Sequence, residues 1–160
     1  MIVREETVGD HAAIHEVVAQ AFGRDDEAAL VAVLRRDGAL VVSLVAEIGG
    51  IVVGHVALSR LRSPERALAL APLAVAPARQ RQGVGADLVR HAIWQCRRSG
   101  EHIMFVLGEP AYYSRFGFSA AAAAPYPCPY AGPHFMALQL SDLLPRPAAV
   151  IYAPAFDPLG

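Results

Sequence analysis

The sequence predicts an α/β fold with a mixed sheet, and three observations predict it. Apolar residues alternate along the chain between a helical three-to-four spacing and short β-branched or continuous runs, in the order strand, helix, helix, three strands, helix, strand, helix, strands. A length of 160 residues is enough to bury one full core, and no repeat or change of composition divides it, so residues 1–160 read as one domain. Hydrophobic content of 54% against 18% charged residues excludes a disordered chain.

Ile2-Val3-Arg4 is a short strand signal. Thr7 to Asp10 is a turn, and Asp10 is placed to cap the helix that follows with its side-chain oxygen. Ile14, Val17, Val18, Ala21 and Phe22 share one face of a helix from His11 to Phe22, which Gly23 ends. Arg24-Asp25-Asp26-Glu27 opens a second helix with acids at its positive end, and Asp37-Gly38 closes it. Leu40–Glu47 and Ile51–Leu61 read as strands joined by a Gly49-Gly50 hairpin turn. In the next strand, Ala67–Val75, Pro72 cannot donate to a ladder, which predicts a bulge or an edge. Val84–Arg98 reads as a helix with Leu88, Ala92, Ile93 and Cys96 inward, followed by the buried-strand run Ile103–Leu107. A short helix over Ala111–Phe116, strands over Phe118–Ala124 and His134–Leu140, and an extended tail over Pro145–Gly160 complete the prediction.

Absences narrow the chemistry. All 14 basic residues are Arg, so Schiff-base chemistry and a P-loop lysine are excluded. The net charge of −1 gives no global field for nucleic acid or an anionic membrane, and neither is expected as a partner. Cys96 and Cys128 have no zinc-type spacing, and His11 and His15, though on one helical face, lack a third ligand; no metal is expected. The acidic N-terminus is unlike a signal peptide and no run approaches a membrane span, so the expected location is cytoplasmic.

The most specific stretch is Leu73-Ala74-Val75-Ala76-Pro77-Ala78-Arg79-Gln80-Arg81-Gln82-Gly83-Val84-Gly85-Ala86. A strand, a basic turn, two glycines and a helix start make an anion cradle, because glycine admits close approach and the helix start offers unpaired amides. A dinucleotide fingerprint would need glycine where Leu88 stands, and a P-loop would need lysine. The spacing Gln80-x-x-Gly83-x-Gly85 after a proline-interrupted strand remains.

These residues, with Pro72-Leu73-Ala74-Val75 before them and Ala111-Tyr112-Tyr113-Ser114-Arg115-Phe116-Gly117-Phe118 after them, resemble the GNAT superfamily of acyl-CoA-dependent N-acetyltransferases. The resemblance implies a mostly antiparallel sheet flanked by helices, with a splayed strand pair that binds CoA. It further implies that acetyl-CoA is the co-substrate, held by Leu73, Ala74 and Val75 along the pantetheine arm and by Arg81, Gln82, Gly83, Val84, Gly85 and Ala86 at the pyrophosphate. Arg79 and Arg81 either add charge to that grip or are solvated surface residues. By the same resemblance the Val75 amide is the oxyanion donor and Tyr113 the general acid toward the departing thiolate.

The general base departs from the family pattern, since Ala67–Val75 carries no acid. Glu109 and His55 are the candidates nearest in motif position, beside a water-relayed base or none. The implied reaction is direct attack by a primary amine, on a small molecule or a protein N-terminus, in a ternary complex. The rival reading is an acyl-CoA-binding sensor or interaction module that transfers nothing. A homodimer is expected only from the family's habit of pairing.

Overall fold

The structure is a computed structural model that describes residues 1–159. Six strands form one mixed, mostly antiparallel sheet in the order β1-β2-β3-β4-β5-β6, flanked by helices. They are β1 (Ile2–Glu5), β2 (Leu40–Ile48), β3 (Ile51–Arg60), β4 (Ala67–Val75), β5 (Ile103–Leu107) and β6 (Phe135–Gln139). The helices are α1 (His11–Phe22), α2 (Asp26–Arg36), α3 (Val84–Arg98), α4 (Pro110–Tyr113) and α5 (Ala120–Ala123). Backbone contacts divide the chain into two compact units, Met1–Leu58 with Ala71–Ala92, and Ser59–Leu70 with Ile93 onward.

In the first unit β1 pairs antiparallel with β2, Ile2 opposite Glu47 and Glu5 opposite Leu44. α1 buries Ile14, Val17 and Val18, as its periodicity predicts, and these pack with Ala28 and Val31 of α2 and with Val45, Ala57 and Ala74 of the strands. Gly23 ends α1 in the left-handed conformation, its amide closing on the Ala19 carbonyl at 2.8 Å. α2 carries Asp26 and Glu27 in its first turn and Arg35 and Arg36 in its last, matching the helix dipole at both ends. Gly49 and Gly50 both take positive φ, which a two-residue hairpin turn of the primed type requires.

One expectation for this unit is corrected. Asp10 does not cap α1. Its carboxylate is taken by the Arg4 guanidinium at 2.7 and 3.0 Å and by the Thr7 amide at 2.7 Å, partners that lie behind it in the chain. β4 is interior to the sheet order, but its register with β5 runs from Ala67 to Ala69 and does not reach Pro72, so on that side Pro72 stands in an edge-like position.

In the second unit β4 pairs in parallel with β5 from Ala67–Ile103 to Ala69–Phe105, and β5 pairs antiparallel with β6 from Ile103–Gln139 to Leu107–Phe135. Phe105 stacks on Phe135 and meets Tyr126 edge-on at the centre of this unit's core. Glu101, nearly buried, receives both Arg60 nitrogens at 2.7 Å.

The strand expected over Phe118–Ala124 is instead helix α5. Ser119 forms one bridge to Ala137, then turns, and its hydroxyl accepts the Ala122 amide at 3.1 Å. A serine cap followed by five alanines, the strongest helix formers, outweighs the strand signal. The predicted tail is not extended throughout, since Pro154–Leu159 forms a 3-10 turn; Gly160 lies outside the described residues. No helix among the described residues is long and apolar enough to cross a membrane.

Candidate functional site

The cradle residues lie together in the first unit, at the end of β4 and the start of α3. After Val75 the chain makes a 3-10 turn over Pro77–Arg79, and the Gln80 side chain folds back to donate to the Val75 carbonyl at 3.2 Å. Gln82 likewise donates to the Ala78 carbonyl at 3.3 Å, so the turn is tied at both ends by glutamine amides. Arg81 (φ 64°) and Gly83 (φ 86°) both take the left-handed conformation. That conformation is costly for a residue with a β-carbon, and it recurs two residues on at a glycine, which bears it freely. Space around Gly83 is open, with no atom within 4 Å of where a β-carbon would sit. Arg81, Gln82 and Gly83 are exposed, while Val84, Gly85 and Ala86 are buried. Arg79 is half-buried and borders a cleft of about 590 Å³ that Asp10, Glu16 and Gln20 also line.

Packing seats the cradle closely on the sheet. A β-carbon on Gly54 of β3 would stand 2.9 Å from Val84, 3.0 Å from Leu88 and 3.3 Å from the Ala74 carbonyl. Helix α3 therefore reaches the sheet at a point where only glycine fits. Ala74 is buried, with Leu73 and Val75 half-buried on either side of it.

His55, next to Gly54, is fully enclosed. Its Nε2 lies 2.8 Å from Ser43 Oγ, and Ser43 in turn donates to the Glu6 carboxylate. Because the single hydroxyl proton is committed to Glu6, Ser43 accepts from His55, which places the imidazole proton on Nε2. Nδ1 is then a bare acceptor, and it has no partner among the described residues. Burial, helped by Arg35 and opposed by Glu6, pushes His55 down to about 4. Glu6 also receives Arg35 at 2.7 and 2.9 Å and lies 3.2 Å from His11 Nε2. Burial works to raise Glu6, but Arg35 and Ser43 outweigh it and hold the carboxyl below its ordinary value. His15 faces Asp25 at 3.6 Å, so the two histidines of α1 point to separate carboxylates.

The second unit holds Tyr113 and Glu109. Glu109 is exposed at the start of α4, and its carbonyl accepts the Tyr112 and Tyr113 amides. The Tyr113 ring lies among Tyr112, Phe116 and Phe118 with centroids 5.0, 6.4 and 5.7 Å away. It also covers Gly108, where a β-carbon would stand 2.5 Å from Tyr113 Cε2. Burial, and to a lesser degree Tyr112, pushes the phenol up to about 12, so it keeps its proton throughout the neutral range.

The Acetyltransferase (GNAT) family model matches residues 8–118. The chain belongs to the GNAT acetyltransferase family. It is 41% identical over 133 residues to an uncharacterised N-acetyltransferase of Escherichia coli K12, YjhQ, covering 75% of this chain and 73% of that one. The crystal structure of the E. coli GNAT-family N-acetyltransferase YhbS in complex with CoA superposes with a TM-score of 0.90 at 33% identity, over 99% of this chain and 93% of that one. A GNAT-family acetyltransferase from Brucella melitensis in complex with acetyl-CoA gives 0.84 at 34% identity, over 98% and 97%.

Sequence reasoning missed several residues of this GNAT chain's two clusters. Gln80 was visible as part of the turn but not as its tie to Val75. Ser43, the partner of His55, and Glu6, the partner of Ser43, carry no motif. His134, which hydrogen-bonds Gly108 beside Tyr113, was placed only as the first residue of a strand; the structure starts β6 one residue later.

Proposed function

We propose that this chain transfers an acetyl group from acetyl-CoA to a primary amine by direct attack in a ternary complex. The observation that carries the reading is the left-handed pair Arg81 and Gly83 leading into α3, in a chain alike over nearly its whole length to relatives solved with CoA and acetyl-CoA. The residues present fit such a substrate. The open, concave turn suits the pyrophosphate, and its amides from Arg81 to Ala86 supply donors at a helix start. Neither Arg79 nor Arg81 is paired with a carboxylate among the described residues, which leaves both guanidinium groups for phosphate. Leu73, Ala74 and Val75 offer backbone to the pantetheine arm, and the Val75 amide polarises the thioester carbonyl.

Tyr113 donates a hydrogen bond to the sulfur as the C–S bond breaks. A free thiol titrates near ~8.5, so a phenol at about 12 is the weaker acid. Its contribution is therefore a hydrogen bond to the developing thiolate. It does not hand over its proton before that charge has formed.

Calorimetric titration with acetyl-CoA, on the wild type and on Gly83→Trp, tests the reading. Binding in the micromolar range that the variant loses, followed by free-thiol release with primary amines, is the expected result. Binding without thiol release would point instead to an acyl-CoA-binding module. No binding of acetyl-CoA or CoA would sink both.

A further inference from the structure

We infer that His134 is the general base of the acetyl transfer, a role that rests on the reading above. His134 Nδ1 lies 3.1 Å from the Gly108 carbonyl oxygen. A carbonyl only accepts, so Nδ1 carries the proton and, in the neutral ring, Nε2 presents a bare lone pair. The backbone holds the same two residues together, with the Gly108 amide donating to the His134 carbonyl at 3.0 Å. On the other side of Gly108 lies the Tyr113 ring, so close that a β-carbon there would collide with it. The thiolate's hydrogen-bond donor and the base are thus seated on one glycine, at the point where the β5–β6 pair ends with Leu107 opposite Phe135.

The other candidates are less suited. His55 is sealed from solvent and holds its remaining lone pair in a buried position. His91 has the same tautomer as His134, fixed by the Asp87 carbonyl at 2.8 Å, but it stands on the exposed outer face of α3. His134 is exposed and, among the described residues, makes no ion pair with a carboxylate, so its lone pair is open to an incoming ammonium. The titratable groups placed around Gly108 are Glu109, which follows it in the chain and precedes α4, and Tyr113 of α4, whose ring covers it.

The step balances. One N–H bond of the ammonium breaks as Nε2–H forms, and the freed nitrogen lone pair attacks the thioester carbon. The C–S bond then breaks, the second nitrogen proton goes to the thiolate beside Tyr113, and the imidazolium returns its proton to water. The products are the N-acetyl amine, CoA thiol and one proton.

The test uses ethylamine and the weakly basic 2,2,2-trifluoroethylamine as acceptors, free-thiol release as the readout, and pH 5.5–9. His134→Gln should lower kcat with ethylamine by about 10²-fold, replace a profile that levels off by one that keeps climbing with the free-amine fraction up to pH 9, and leave calorimetric acetyl-CoA binding intact. Trifluoroethylamine, compared at neutral pH and above where it reaches the enzyme unprotonated, should recover most of that loss, an effect that a merely structural histidine would not produce. Glu109→Gln should keep the profile that levels off. If His134→Gln still levels off as the wild type does, or loses equally with both amines, the assignment is overturned. A wild type that binds acetyl-CoA but acetylates neither amine, nor any in a wider panel, overturns the transfer reading and this one with it.

Discussion

His55 makes the fold sensitive to acid in a way that can be measured. Its ring is wholly enclosed and is held neutral in the folded chain, at about 4 against an ordinary 6.5. Unfolding exposes it to water, where it takes up a proton below about 6.5. The unfolded state therefore binds more protons than the folded one between those two values, and stability must rise with pH across that window. The His55 contribution is fully present above about 6.5 and is lost as the pH falls toward 4. At about 1.4 kcal/mol per pKa unit, the drop from 6.5 to about 4 gives about 3 kcal/mol, a large part of what a domain this size has to spare.

The assay is urea unfolding at intervals from pH 7.5 to 4, on the wild type and on His55→Gln. The variant removes the titrating ring, and its amide still reaches toward Ser43. Glu6 and Asp10 also lose stabilising pairings on acidification, but both sit below the ordinary carboxylate range. Their loss falls mainly below this window, and the difference between the two proteins largely cancels it. The wild-type curve should drop by about 3 kcal/mol more than the variant's. Parallel curves over the whole range would refute the claim that His55 is enclosed and neutral.

Other perturbations follow from the same geometry. Tyr113→Phe should lower kcat by about 10²-fold with acetyl-CoA affinity unchanged, and the wild type should show no alkaline loss from this phenol up to pH 10, because burial holds it at about 12. Gly108→Ala places a β-carbon 2.5 Å from the Tyr113 ring, so it should displace the ring and reduce turnover while calorimetric acetyl-CoA binding persists. Gly54→Ala should destabilise the protein by about 1–3 kcal/mol in urea unfolding, since Val84 and Leu88 stand within 3.0 Å of the new carbon and hold α3 against the sheet.

What the sequence made legible divides along a physical line. The helix over His11–Phe22, the Gly49-Gly50 hairpin and the turn from Val75 to Ala86 are contiguous, and each is decided by residues within a few positions of one another. Such features rest on local backbone chemistry, which a single chain displays in order. Asp10 was misread by the same logic, since a local cap was the nearest use for its carboxylate. Arg4, six residues earlier, competes better through two charge-assisted bonds. The histidine contacts form a second class, made by residues far apart in the chain. The His55–Ser43–Glu6 chain depends on three strands finding register, and His134 meets Gly108 across 26 residues because β5 and β6 pair to their ends. A cradle for phosphates needs only amides in sequence, whereas a base needs a lone pair aimed at a point fixed by tertiary structure. The absence of an acid in Ala67–Val75 therefore says nothing against transfer: it removes one local solution to a problem that non-local pairing can solve elsewhere.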